Sequence, residues 1–287
     1  MTGLLVLAGA PIGDWNDASR RLIQELSIAE VIAAEDTRRF ARLARDLEVT
    51  YTGRLVSYFE GNEVTRTAEL VTAMIAGQRI LLITDAGMPS VSDPGYRLVR
   101  ATIDAGIRVT AVPGPSAVLT ALALSGLPSD RFIFEGFAPR TKGARERFYR
   151  GLASEKRTVV LFEAPHRLAE SLEDAVLELG SGRQAVICRE MTKTYEEVIR
   201  GSLEELLRWS KTGEVLGEIT LVVSGRDPDD REIESAELVQ MVRTREEAGL
   251  TRKEAIQAVA EALSLAKRVV FDAVVADKES RRGGLAR

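Results

Sequence analysis

Two carboxylates and a guanidinium stand together near the start of this sequence, where they could do acid–base or ligand-binding chemistry. Glu35, Asp36 and Arg38 directly follow the apolar run Val31–Ala34. A structural role is the alternative, because Asp36 or Thr37 can cap a helix and Arg38 can pair with an acid. We favour a functional role, since contiguous polar side chains after a buried strand lie at the carboxyl edge of a sheet, the usual place for a site.

A second group of candidates surrounds the only histidine. His166 and Arg167 follow Glu163 at a strand-to-helix junction, and Glu190 and Lys193 lie in a charged segment after a later strand. One histidine cannot form a zinc site, so no metal site is predicted, although a metal requirement is left open. For His166 a structural role is the alternative, and for Glu190 and Lys193 it is a solvated loop.

Two turns rich in glycine and proline could bind a ligand through their main chain. The first runs from residue 84 to residue 95 and the second from Pro113 to Ala117, and each connects an apolar strand to a helix. Such turns let a ligand approach backbone amides. Neither turn contains G-x-G-x-x-G or the P-loop pattern, so the expected ligand is a small molecule that needs no phosphate cradle.

Within these turns some residues have structural alternatives. We favour ligand contact for Asp85 and Gly87, whereas Asp93 is interpreted as a helix N-cap and Pro94 as a first-turn proline. Ser116 can also serve only as a helix cap. The sequence therefore predicts a ligand site at these turns without fixing every contact.

The elements that must position these residues alternate regularly. Five short apolar runs, each followed by a helical period, fill residues 1–125 and predict a mostly parallel sheet with helices on its faces. Residues 126–226 contain adjacent strands without an intervening helix, which predicts a mixed sheet. Ser125-Gly126-Leu127-Pro128 marks the boundary between these two α/β domains.

Three short helical stretches follow a polar linker and predict a small C-terminal helical domain over residues 232–277. Thr251 and Glu254 form a capping-box pattern, and Ser264 is expected to cap the last helix. Helix, turn and helix with basic residues resembles a helix-turn-helix unit, and a plain helical appendage is the alternative. The tail at residues 278–287 is expected to be disordered.

Composition limits the class of protein. The length of 287 residues predicts a globular protein of two domains. The net charge of −4 argues weakly against a protein whose whole surface binds nucleic acid, although it allows a local basic patch. Arg140–Arg150 is a candidate patch, predicted as a flexible basic loop that contacts phosphate, with a solvated face as the alternative. Cys188 is the single cysteine, in an apolar run, and indicates inert core and a reducing cytoplasm. The apolar first residues lack the basic start of a signal peptide.

Several of these stretches resemble the tetrapyrrole-methylase-like superfamily, and within it the branch that methylates small-subunit ribosomal RNA. The matching segments run in order along the chain: Ala10-Pro11-Ile12-Gly13, Ala34-Glu35-Asp36-Thr37-Arg38, Ser92-Asp93-Pro94-Gly95-Tyr96, Pro113-Gly114-Pro115-Ser116-Ala117, Pro165-His166-Arg167 and Arg189-Glu190-Met191-Thr192-Lys193. The chain differs from the usual pattern at Asp14-Trp15, at Met88 and at Phe162-Glu163-Ala164.

The resemblance implies two α/β domains with S-adenosylmethionine bound in a cleft between them, homodimerisation, and 2′-O-methylation of a cytidine ribose in the decoding region of 16S rRNA. The expected cofactor contacts are Pro11, Asp85, Gly87, Met88, Pro89, Pro113, Gly114, Ser116, Ala117, Phe162 and Glu163. We hypothesise that Glu35, Asp36 and Arg38 organise the acceptor nucleotide and that His166, Arg167 and Lys193 hold phosphate or ribose. Glu35, Asp36, His166, Glu190 and Lys193 are all open as the group that takes the hydroxyl proton.

Two other functions fit the same residues. A tetrapyrrole is a polycarboxylate that would also bind arginines, so C-methylation of uroporphyrinogen or a precorrin is the rival enzyme. A ribosome-assembly protein that binds RNA and transfers nothing is the rival without chemistry, and it predicts no affinity for S-adenosylmethionine. Activity on 30S particles against uroporphyrinogen separates the first pair, and calorimetry with the methyl donor tests the second.

Overall fold

The chain forms two compact units, seen in a computed structural model that describes residues 3–226, 235–263 and 265–284. The first unit is Met1–Thr120 with Met191–Tyr195, and the second is Ala121–Glu190 with Glu196–Arg287. The predicted boundary at residue 125 is the last residue of the helix within which the units divide. The short segment at 191–195, which the sequence assigned to the second domain, belongs to the first unit.

The first unit is built on a parallel sheet of five strands, as predicted. These are β1 (Leu4–Ala8), β2 (Val31–Ala34), β3 (Arg54–Ser57), β4 (Arg79–Ile83) and β5 (Arg108–Val112). Their order is β3-β2-β4-β1-β5, and all neighbours run parallel. Most positions of β1, β2 and β4 are buried, because helices cover both faces of a parallel sheet.

Helices pack on opposite faces of this sheet. They are α1 (Arg20–Ile28), α2 (Thr37–Asp46), α3 (Glu63–Ile75) and α4 (Tyr96–Asp104), and α5 (Ala117–Ser125) follows β5. Apolar residues of α1 and α2 share one buried cluster with β1, β2 and β4, whereas those of α3 and α4 share another with the alternate residues of the same strands. The chain therefore leaves β1 and β2 toward one face and β4 toward the other. Ligands of open α/β sheets bind at such switch points, here at the carboxyl end of β4.

The second unit contains a mixed sheet, again as predicted. Its strands are β6 (Phe132–Phe137), β7 (Thr158–Glu163), β8 (Gln184–Arg189), β9 (Glu197–Ser202) and β10 (Ile219–Val223), in the order β6-β7-β10-β8-β9. Only the β6–β7 pair is parallel. Helices α6 (Lys142–Leu152), α7 (Leu168–Leu179) and α8 (Leu203–Ser210) accompany these strands.

The basic segment at 140–150 is not the flexible loop that the sequence predicted. Most of it is helix α6, and the Arg145 side chain is only 2% exposed. Arg145 Nε donates to Asp174 Oδ2 at 2.7 Å, and Arg150 pairs with Glu178 at 2.6 Å. The prediction of a loop was wrong because acids on α7 bind these arginines, and that partnership is not visible in a local charge run.

Three helices end the described chain: α9 (Ser235–Glu247), α10 (Arg252–Ala262) and α11 (Lys267–Gly284). They share an apolar cluster of their own, although they fall within the second unit. The capping box of Thr251 and Glu254 is confirmed, whereas Ser264 lies outside the described residues. Helix α11 continues past Lys278, where the sequence predicted a disordered tail, and the last three residues are not described. Among the described residues, no helix combines the length and apolarity of a membrane span.

Candidate functional site

Three turns of the first unit pack main chain against main chain at the carboxyl edge of its sheet. A Cβ atom added at Gly9 would lie 2.7 Å from Gly114 Cα and 2.8 Å from Met88 Sδ. The Ala10 N–H donates to Gly87 O at 2.8 Å, and the Gly87 N–H donates to Ala10 O at 3.1 Å. The turns after β1, β4 and β5 therefore form one layer in which glycine at positions 9 and 114 is required by close approach.

The turn after β4 is strained and open on one side. Gly87 has φ +68°, and two non-glycine residues, Ser90 and Ser92, have φ +73° and +60°. Such conformations cost of order 1–3 kcal/mol each for residues with a side chain and often occur where a ligand binds. A Cβ at Gly87 would meet only Pro115 O, at 4.0 Å. Space is thus open beside the Gly87 Cα, whereas its N–H and C=O are both paired with Ala10.

An acidic network links the ends of β2 and β4. The Asp85 N–H donates to Glu35 Oε2 at 3.1 Å, and the Asp36 N–H donates to Asp85 Oδ1 at 3.2 Å. Asp36 caps α2 by accepting from the Arg38 N–H at 2.8 Å, and its carboxylate also pairs with the Arg38 guanidinium at 3.0 Å. Arg39 pairs with Asp85 at 3.2 Å. The described residues therefore show the structural roles considered for this pair: Asp36 caps a helix, and Arg38 forms an ion pair with it.

These carboxyl groups differ strongly in proton affinity. Burial raises the pKa of Glu35 and of Asp85, whereas hydrogen bonds from Arg38 lower the pKa of Asp36 to about 2. Burial, together with repulsion from Glu35 and Asp85, raises the pKa of Asp93 to about 7. Asp36 is thus a very weak base, and Asp93 is a carboxyl group able to exchange a proton near neutral pH.

The prediction that Asp93 is a helix N-cap is wrong. Helix α4 begins at Tyr96 with Gly95 as its N-cap, so Asp93 does not cap it. Asp93 is instead half-buried, near the carboxyl groups of Glu35 and Asp85. Its signal was present in the segment Ser92-Asp93-Pro94-Gly95, but a cap and a half-buried acid have the same local sequence.

The remaining residues of the two turns surround this layer. Ser116 does cap a helix, because its Oγ accepts from the Leu119 N–H at 3.4 Å. Five other residues of the first unit were predicted as cofactor contacts. Of these, Pro11 and Pro89 are buried, Pro113 is exposed, and Met88 and Ala117 are half-buried. All lie on the turns that follow β1, β4 and β5.

Lys193 lies in the first unit beside the turn after β1. A Cβ at Gly13 would lie 2.5 Å from Thr192 Oγ1 and 2.6 Å from Lys193 Cγ. The Asp14 N–H donates to Thr192 Oγ1 at 3.1 Å, and Thr192 itself has φ +63°. The structure thus places Lys193 next to Gly13.

The second unit holds another part of the predicted set at the end of β7. Glu163 is 3% exposed, its Oε1 pairs with Arg167 at 2.6 Å, and its Oε2 is buried with no hydrogen-bond partner among the described residues. His166 is exposed on the short turn between β7 and α7. Phe162 packs its ring against Phe134 at 4.9 Å. The buried Oε2 of Glu163 therefore lacks a hydrogen-bond donor among the described residues, which is unusual for a buried polar atom.

Glu190 is held by the turn before β10. Its Oε1 accepts from the Glu218 N–H at 2.9 Å, and a Cβ at Gly217 would lie 2.4 Å from its Cγ. Cys188 is buried, which raises the pKa of its thiol to about 11 and fits inert core. Across the described residues, no group of histidine, cysteine and acidic side chains has an arrangement that could hold a metal.

The structure therefore brings together part of the predicted site and adds to it. Glu35, Asp36, Arg38 and Asp85 meet at the ends of β2 and β4. Arg39 and Asp93 were missed as members of this group: Arg39 pairs with Asp85, and Asp93 lies close enough to Glu35 and Asp85 to be repelled by their charges. Glu163 and Arg167 pair with each other in the second unit.

Comparison with known proteins agrees with this architecture. Residues 4–207 match the family model of Tetrapyrrole (Corrin/Porphyrin) Methylases. A Mycobacterium bovis protein named ribosomal RNA small subunit methyltransferase I is 49% identical over 283 residues, which cover 98% of each chain. A Thermotoga maritima protein of the same name is 41% identical over 225 residues, 78% of this chain and 100% of that protein.

A solved structure has the same fold. Uroporphyrin-III C-methyltransferase from Thermus thermophilus, complexed with S-adenyl homocysteine, matches with a TM-score of 0.53 and 20% identity over 78% of this chain and 97% of that one. Fold and turns thus define a methylase of the tetrapyrrole-methylase class. Within that class, the chain belongs to the ribosomal RNA small subunit methyltransferase I family.

Proposed function

We propose that this protein transfers a methyl group from S-adenosylmethionine to the 2′-hydroxyl of a cytidine ribose in the decoding region of 16S rRNA. The observation that carries the proposal is the 49% identity, over 98% of both chains, to a protein named ribosomal RNA small subunit methyltransferase I. The cytidine and the 2′ position come from the sequence resemblance.

Main-chain groups of the first unit fit the methyl donor. A sulfonium zwitterion with an adenosine needs amides and carbonyls from closely approached turns, and the open space beside the Gly87 Cα lets a ligand approach the turn after β4. We assign donor binding to the turns at Gly87 and Gly114 and to Asp85, all in the first unit. When bound, the donor supplies an electrophilic methyl carbon.

The chain's own residues must position the hydroxyl and take its proton. We assign proton acceptance to Asp93, because its pKa of about 7 lets it be ionised yet basic at neutral pH. Asp36 is a poor candidate, since Arg38 already satisfies its carboxylate. In-line transfer gains mainly from orientation, and the rigid hydrogen-bonded ends of β2 and β4 are suited to provide it.

Product analysis tests the proposal directly. Purified protein is incubated with labelled S-adenosylmethionine and unmethylated 30S particles, and the 16S rRNA is digested to nucleosides and analysed by mass spectrometry. The expected product is 2′-O-methylcytidine from one position. Absence of this nucleoside, with label found elsewhere or nowhere, would overturn the proposal.

The two rival functions are tested in parallel. A tetrapyrrole methylase would label uroporphyrinogen and leave 30S particles unlabelled. An assembly protein would bind particles but show no heat of binding with S-adenosylmethionine.

We also propose a cytoplasmic homodimer, and light scattering of the purified chain should give twice the 31.4 kDa of one chain.

A further inference from the structure

A large groove in the second unit lies away from Glu163. It has a volume of about 1280 Å³ and is formed where several loops of the unit meet the connection between α10 and α11. Thr158, at the start of β7, lines the groove, and Glu163 is at the other end of that strand. Six residues of strand span roughly 16 Å, so the groove and Glu163 are at opposite edges of the sheet.

The floor of the groove is held firmly by backbone contacts. The Arg226 N–H donates to Glu155 O at 2.6 Å, and the Thr158 N–H donates to Arg131 O at 3.3 Å. A Cβ at Gly225 would lie 2.0 Å from Lys156 O, so two loops touch main chain to main chain. These loops therefore fix where Arg131 and Lys156 enter the lining.

Positive charge exceeds negative charge along this lining. Arg157 pairs with Glu155 at 2.7 Å and Arg150 pairs with Glu178 at 2.6 Å, so the acids of both pairs are already neutralised. Arg131 and Lys156 are exposed and line the groove, and neither forms an ion pair within the described residues.

Arg183 and Arg226 also line the groove, and backbone carbonyls fix Arg183. Its Nη2 donates to Ala153 O at 2.9 Å and its Nη1 donates to Ser224 O at 3.3 Å. Among the described residues of the lining, Asp130 is the one acid outside the two ion pairs. The groove is thus suited to an anionic ligand.

Part of the lining, here called the apolar wall, is aliphatic. It consists of Leu263, Leu265, Ala266 and Val269, from the end of α10 to the first turn of α11. Sites for small ligands are usually about 300–1,000 Å³, so the groove is large enough for a segment of polymer. Unpaired RNA combines phosphates, which suit the cationic residues, with flat and largely apolar base faces that stack on guanidinium planes and can pack against aliphatic side chains.

We propose that this groove binds an unpaired segment of 16S rRNA, through phosphates at Arg131 and Lys156 and through bases on the apolar wall. The inference rests on the proposed function and deepens it, since it gives the substrate a contact in the second unit away from the carboxyl end of β7. A contact of this kind would position the ribosomal particle without taking part in methyl transfer.

A paired charge reversal tests the groove. Arg131→Glu with Lys156→Glu, and the milder Arg131→Gln with Lys156→Gln, are compared with Arg20→Glu and Arg21→Glu, two exposed arginines on α1 without an ion pair in the described chain. Affinity for 30S particles is measured as a function of salt, together with KM for particles and affinity for S-adenosylmethionine.

We expect both groove pairs to weaken particle binding and raise KM for particles, with donor affinity unchanged. The slope of log affinity against log salt should fall by about 2, near 1 for each lost phosphate contact. Wild-type slope and KM in the groove pairs, or an equal loss in the α1 pair, would overturn the inference. If the unaltered protein binds particles but methylates no rRNA, the proposed function fails and the salt slopes still judge the groove.

Discussion

At the scale of single residues, the most specific prediction concerns the activity of an Asp93 variant. Asp93→Asn keeps the shape of the side chain but cannot accept a proton, so kcat should fall by between about 10²- and 10⁴-fold. In the unaltered protein kcat should rise with pH through about 7, because Asp93 must be ionised to act. Single-turnover methylation of 30S particles at several pH values measures both quantities.

A matched control separates chemistry from folding. Asp36→Asn removes a cap from α2 and a partner of Arg38, but it takes away no group that titrates near neutral pH. It should leave the pH profile in place while lowering stability. If Asp93→Asn retained both the wild-type kcat and the rise through pH 7, Asp93 would not be the proton acceptor.

Asp93 also predicts a pH dependence of stability. Folding raises its pKa from 3.8 to about 7, so between these values the folded chain holds a proton that the unfolded chain releases. The contribution of Asp93 to the free energy of unfolding is therefore greatest at low pH and declines as pH rises to about 7. The Tm of Asp93→Asn relative to wild type should increase across this window and level off above it. A difference in Tm that stays constant with pH would contradict the assignment.

The sequence could find some of these residues and not others. Glu35, Asp36 and Arg38 follow a strand directly, so their position at the sheet edge was readable from the chain. Asp93 is several residues removed from β4, and it comes near Glu35 and Asp85 only because the strained turn folds back. Proton affinity depends on burial and on neighbouring charges, and neither is a local property of the sequence.

At the scale of elements, the α6–α7 pair depends on a buried ion pair. The Arg145 and Asp174 side chains are 2% and 5% exposed. Arg145→Met leaves a buried carboxylate without its partner and should lower the free energy of unfolding by roughly 3 kcal/mol. Arg145→Met with Asp174→Leu should recover most of this loss. Urea unfolding measures it, with Arg20→Met as an exposed control, and a double variant no more stable than the single one would contradict the account.

The glycine layer gives a second prediction at this scale. Gly114→Ala places a Cβ 2.8 Å from the Gly9 backbone, and backbone cannot move away easily, so a loss of about 1–3 kcal/mol is expected. Gly151→Ala in α6 meets nothing within 4 Å and should instead gain about 0.4–1 kcal/mol. Thermal unfolding compares the two. Equal behaviour of the two variants would show that the turns after β1 and β5 are not tightly packed.

Elements were predictable wherever a local pattern decides them. The five alternations of residues 1–125 gave the parallel sheet, because buried strands and amphipathic helices each have a characteristic period. The order of the strands in the sheet does not follow from that period. This order places β4 between β2 and β1, and so brings Asp85 to Glu35. Helix α6 was missed because its arginines are satisfied by α7, a partner far away in sequence.

At the scale of the whole molecule, net charge and local charge act in opposite directions. The chain carries −4, so long-range attraction to RNA is weak and binding must come from local patches. Phosphate contacts then depend on a few cations such as Arg131 and Lys156, and affinity should fall steeply with salt. This is why the salt slope, rather than affinity at one condition, decides the inference about the groove.

The C-terminal helices give the last prediction. Helices α9 to α11 have their own apolar cluster, and a Thermotoga maritima relative is matched over its whole length by 225 residues of this chain. A chain ending at Arg226 should therefore unfold cooperatively and bind S-adenosylhomocysteine as the full chain does. It should bind 30S particles less tightly, because the apolar wall of the groove is lost. Thermal unfolding, calorimetry and particle binding test this. Loss of donor binding in the shortened chain would show that these helices are integral to the second unit.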